Sequence, residues 1–107
     1  PPLTFGEKES FRVAVASCWN RGALSSAAER VTVVVGFAMN RDGTPDAGSI
    51  RMLSASGGDD TATRTAFEAA SRAIRRCGAR GFDLPAEKFA HWQEVEIVFR
   101  ASGPSFQ

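Results

Sequence analysis

The chain carries almost no net charge: thirteen basic residues stand against twelve acidic ones over 107 positions, a formal +1. So small an imbalance gives no broad basic footprint of the kind that drives unspecific binding to nucleic acid or anionic membranes. Long apolar runs are missing as well. The longest, residues 31–39, is interrupted by Thr32 and Gly36 and falls well short of the ~20 residues a spanning helix needs. Pro1, Pro2, Leu3 and Thr4 lack the charged and apolar regions of a signal peptide and read as the end of a Pro-rich linker, residues 1–6, leading in from a longer protein.

Reactive side chains are equally scarce, with one histidine and two cysteines in the whole chain. That stock cannot make a zinc motif, and Asp42, Asp46, Asp59 and Asp60 lack the spacing of a calcium loop, so they read as turn and cap residues. His91, beside Trp92, has no nucleophile and carboxylate at the spacing of a triad. A Cys18 nucleophile served by His91 is outweighed by the packing role of a cysteine on a helix stripe, where nothing lowers its pKa. Gly57-Gly58 precedes a helix without the Lys-Ser/Thr of a phosphate loop. The small sheet suggested below lacks the outward stacking aromatics of an RNA-binding one. Neither a catalytic residue nor a cofactor or metal site is expected, and nucleic acid is not an expected partner.

What the chain does have is the make-up of one domain, 43% hydrophobic and 23% charged, able to bury roughly two-thirds of its unfolded surface. Its hydrophobic period changes several times. Over residues 7–19, Phe11, Val15, Cys18 and Trp19 recur at helical spacing, which predicts a buried Trp19, whereas Trp92 is expected to be partly exposed. Residues 31–40 alternate, with Val31, Val33, Val35, Phe37 and Met39 on one face. The turn formers of 40–45, with Gly43 suited to positive φ, then lead to a short second strand over 50–54. Asp59 and Asp60 supply helix-capping chemistry, and Phe67, Ala70, Ile74 and Cys77 share one face of a helix over about 60–77. Arg72, Arg75 and Arg76 suit the negative pole of that helix, with Gly78 as its left-handed stop. Pro85 opens a short helix. Val95, Ile97 and Phe99 alternate with Glu94, Glu96, Val98 and Arg100 in a third strand, and residues 102–107 read as a flexible tail.

The expected fold is therefore α+β, in the order α-β-β-α-(short α)-β: a three-stranded antiparallel sheet, spatial order two, one, three, with helices packed on one face. That order leaves the third strand, Glu94, Val95, Glu96, Ile97, Val98, Phe99 and Arg100, at an edge whose unpaired backbone can take a partner strand. An exposed edge also leaves a strand-exchanged dimer open. By spacing alone, Cys18 and Cys77 are either one disulfide or two reduced, buried thiols.

The combination of Cys18-Trp19-Asn20 after an amphipathic helix, a strand and turn ending Asn40-Arg41-Asp42-Gly43, Arg75-Arg76-Cys77, and Leu84-Pro85 followed by Glu87-Lys88-Phe89 resembles the C-terminal domain of TolA, in the TolA/TonB C-terminal family. The resemblance covers residues 7–101. It implies the periplasmic domain of a single-pass inner-membrane protein, with no membrane contact by this domain itself. It further implies a non-enzymatic role in the Tol-Pal system: carrying proton-motive-force energy from TolQ and TolR, through parts of the protein not in this sequence, to TolB and Pal, in support of outer-membrane integrity and cell division. The partners it implies are the N-terminal segment of TolB, possible contacts to Pal, and colicin and phage coat domains that exploit the same surface. The oxidising periplasm in turn implies a Cys18–Cys77 disulfide. A TonB-type domain that binds outer-membrane receptor peptides is the alternative within the family.

Overall fold

A computed structural model describes residues 1–106. Helix α1 (Phe5–Ala16) begins within the stretch expected to be linker. Thr4 caps it: its hydroxyl accepts from the Glu7 N–H while the Glu7 carboxylate accepts from the Thr4 N–H, a reciprocal capping box. Leu3 packs against the core, so the domain starts several residues before position 7.

After two 3-10 turns the chain enters β1 (Thr32–Ala38), followed by β2 (Arg51–Ser56), α2 (Asp60–Gly78), a 3-10 segment (Ala86–His91), β3 (Glu94–Arg100) and β4 (Gly103–Phe106). The alternation in β1 is realised in full, Val33, Val35 and Phe37 each being inaccessible to solvent. The fold is an α+β domain whose antiparallel sheet runs β2-β1-β3-β4. It has four strands where three were expected, because residues 103–106 pair with β3 instead of fraying. Val33 stands opposite Phe99, Val35 opposite Ile97 and Phe37 opposite Val95. These pairs form one buried face, and they share a core with Phe11 and Val15 of α1 and with Ala66, Ala70, Ala73 and Ile74 of α2.

Small residues let α2 lie close to the sheet: its buried positions are Ala62, Ala66, Ala69, Ala70, Ala73, Ile74 and Gly78. Asp59 caps it as expected, its carboxylate accepting from the Ala62 N–H at 2.8 Å. Gly78 does not stop the helix in a left-handed conformation; it is the last helical residue, and a Cβ there would stand 2.5 Å from Pro45 Cδ. The positive φ falls instead at Gly81 (89°), after α2, and at Gly43 (87°), in the turn after β1.

The two tryptophans exchange the places expected of them. Trp92 is 2% exposed, donates its indole N–H to the Pro85 carbonyl at 2.8 Å, and meets Phe89 edge-on. Trp19 is half-buried, because α1 ends at Ala16 and its stripe no longer governs where Trp19 points. It packs on Phe99 and donates its N–H to the Ala101 carbonyl in the turn between β3 and β4.

Candidate protein-docking edge

The candidate site is β3 with the surface beside it. One side of the strand is satisfied along most of its length by β1, from Ala38 opposite Glu94 to Val33 opposite Phe99. On the other side β4 places Phe106 opposite Ile97, Ser105 opposite Val98, Pro104 opposite Phe99 and Gly103 opposite Arg100. The expectation that β3 is a sheet edge is thus corrected for Ile97, Val98, Phe99 and Arg100. Alternation alone could not find β4, since Gly103-Pro104-Ser105-Phe106 has no apolar period. What holds it is the free side of β3 together with Phe106 and Pro104, the former 5.5 Å from the Phe11 ring and the latter buried.

At Glu94 and Val95 the arrangement differs. Among the described residues no strand pairs with Glu94 or Val95 on the β4 side, where a cleft of about 130 Å³ opens between α1, Phe106 and the start of β3. Its apolar walls come from Leu3, Phe11, Trp92, Val95 and Phe106, and Lys8, His91, Glu94 and Glu96 stand around them. An apolar floor with charged groups at the rim suits an extended segment that inserts one apolar side chain. Glu94, Glu96 and Arg100 face solvent, as the alternation predicts, while Val98 between them is buried on that face. Glu94 also stands 3.8 Å from the Arg51 guanidinium, an exposed ion pair worth little.

Behind the cleft, α1 is held to the segment leading into β3. Lys88 donates to Glu7 Oε1 at 2.8 Å, and that bond, with the N–H of Thr4, holds the Glu7 carboxyl below its ordinary pKa. Arg41 lies over the Phe89 ring, 4.4 Å from its centre. Cys18 and Cys77 form a disulfide that ties the chain just after α1 to the last turn of α2. The Ser17 hydroxyl lies 3.1 Å from Cys77 Sγ. Because Cys18 is bonded, the thiol and imidazole pair considered from the sequence does not exist.

The true outer edges of the sheet are β2 and β4. All six residues of β2 are exposed, Met52 and Leu53 among them, and a bulge opposite Val34 and Val35 interrupts its pairing to β1. Among the described residues, no cluster of three or more His, Cys, Asp or Glu side chains is arranged to hold a metal ion, and no helix is long and apolar enough to cross a membrane. No protein-family model, curated protein or solved structure matches the chain.

Proposed function

We propose that this chain is a protein-binding domain of TolA C-terminal type, acting in the periplasm as the far end of an inner-membrane energy transducer. Its work is mechanical, not catalytic: it grips a partner segment and passes proton-motive-force energy from TolQ and TolR towards TolB and Pal, in support of outer-membrane integrity and cell division. The ordered set of motifs from Cys18-Trp19-Asn20 to Glu87-Lys88-Phe89 supports the family reading, and a disulfide suits an oxidising compartment.

The observation that carries the binding mode is the cleft beside Glu94 and Val95, where among the described residues no strand pairs on the β4 side and half-buried Leu3 and Phe106 offer apolar surface at the opening. A partner entering there pairs its backbone with the start of β3 and places a side chain against Leu3 and Phe106, so the backbone supplies affinity and the cleft supplies register. Charges at Glu94 and Glu96 deter unselective pairing.

Amide chemical shifts recorded while adding a TolB N-terminal peptide test this. The reading expects changes at Lys8, Phe11 and residues 92–96, and weakened binding on Glu94→Lys, at an exposed position of the cleft rim, with the melting temperature checked in parallel. Shifts confined to the turn around Asp42 or to α2 around Arg72 would exclude the strand-addition mode. Binding of an outer-membrane receptor peptide in place of the TolB peptide would assign the domain to the TonB type.

A further inference from the structure

The charge of the chain is near zero only in total. Of its thirteen basic and twelve acidic residues, five and one fall within residues 64–80, so that this stretch carries +4 and the rest of the chain −3. The five are Arg64, Arg72, Arg75, Arg76 and Arg80, every one of them exposed. Four lie on α2, on the side away from its buried alanines, and Arg80 follows two residues after the helix. Arg72 and Arg76 are one turn apart; Arg64 lies two turns before Arg72, with Glu68 at the turn between them and Asp60 a turn earlier, so the unbroken basic surface runs from Arg72 to Arg80.

None of the five forms an ion pair among the described residues, as is also true of Lys8, Arg30, Arg41 and Arg100, but only on this stretch do such residues cluster. The helix dipole accounts for Arg75 and Arg76 in the last turn, since its influence fades beyond one turn. It does not account for Arg72, and Arg64 stands between Asp60 and Glu68, one turn away on either side. The end of α2 that carries Arg75 and Arg76 is anchored, because Cys77, next to Arg76, is bonded to Cys18.

We infer that this arginine ridge is a second docking surface, for an acidic segment of a partner protein. Guanidinium groups bind carboxylates through paired N–H donors, and one helical turn, about 6 Å, matches acidic residues spaced at i, i+2 along a strand or i, i+4 along a helix. An anionic bilayer fits less well. Membrane-surface helices combine basic residues with inserted apolar ones, whereas the exposed large apolar side chain near α2, Met52, lies by Arg64 at the start of the helix, away from Arg72, Arg75 and Arg76. The inference does not depend on the cleft beside β3.

The test uses the oxidised domain, a synthetic peptide of alternating glutamate and serine, and vesicles containing phosphatidylglycerol, with binding followed by amide shifts and by titration at several salt concentrations. Arg72→Gln/Arg76→Gln is compared with Arg51→Gln/Arg100→Gln, which removes the same charge from exposed positions on β2 and β3, and thermal melting checks that both variants fold. The expected result is peptide-induced shifts over residues 64–80 and an affinity about tenfold lower in the ridge variant only. No peptide binding, equal weakening by both variants, or binding to vesicles without binding to peptide would each overturn the proposal.

Discussion

Glu7 and Lys88, 81 positions apart, meet through one carboxylate oxygen: Glu7 Oε1 accepts from Lys88 Nζ and from the Thr4 N–H, so a single atom both caps α1 and ties it to the segment before β3. The Lys88 bond first, and the Thr4 N–H second, lower the Glu7 pKa below its ordinary value. A carboxyl whose pKa is lowered by folding adds stability above its unfolded pKa and loses it as the pH falls through the folded one. The melting temperature of the native domain is therefore expected to fall more steeply below the ordinary glutamate range than that of Glu7→Gln, and melting curves across acidic pH check it. Parallel curves for the two proteins would show that the contact contributes nothing in solution.

The disulfide closes a loop spanning 59 positions, for which the chain-entropy model gives about 4 kcal/mol. Cys18→Ala/Cys77→Ala is expected to lose stability of up to that size in urea titrations while keeping its circular dichroism spectrum. Alkylation of the native protein without reductant, followed by intact mass, should find neither cysteine modified.

Trp92 and Trp19 differ in burial, and their replacements should differ accordingly. Trp92→Ala removes a large buried ring along with the bond to Pro85, and an expected cost of about 3–5 kcal/mol would be read by denaturant unfolding. Trp19→Phe keeps most of the contact with Phe99 and gives up only the bond to Ala101, for about 1 kcal/mol. A larger loss at position 19 than at 92 would contradict the packing described.

Two glycines predict opposite signs. Gly43 has φ 87°, and a Cβ there would run into the Phe82 carbonyl oxygen, so Gly43→Ala should destabilise by more than about 1 kcal/mol. Gly6 lies in α1 with no atom within 4 Å of an added Cβ, and Gly6→Ala should stabilise by about 0.5–1 kcal/mol. Melting temperatures of the two variants should move in opposite directions.

Where an element was legible in the sequence, its own residues repeat a pattern that only one backbone geometry can bury. The alternation from Val31 to Met39 has one buried face only as a strand, and the alanine and isoleucine positions of α2 share a side only at helical spacing. The cap of α2 was legible for the same reason, because Asp59 satisfies the Ala62 N–H three residues on, whereas the Thr4–Glu7 box falls in the stretch read as linker. The candidate site was legible in part: Glu94, Glu96 and Arg100 face outward as their alternation requires, but the extent of the open edge depends on residues 103–106.

By itself, then, the sequence determined the two long helices, the three longer strands and, for β1 and β3, which side faces the core, since those are contests between local geometries for the same apolar side chains. Only the tertiary structure decided the rest. Gly103 to Phe106 have no period of their own and become a strand because β3 offers unpaired backbone and Phe11 offers Phe106 a ring to pack on. Trp92 is buried because the 3-10 segment folds back and brings the Pro85 carbonyl within reach of its N–H. Gly78 is fixed by the approach of Pro45, from another part of the chain. In each case the deciding partner is distant in sequence or lies across a turn that local preference does not determine, so the favourable contact exists only once the chain has closed around it.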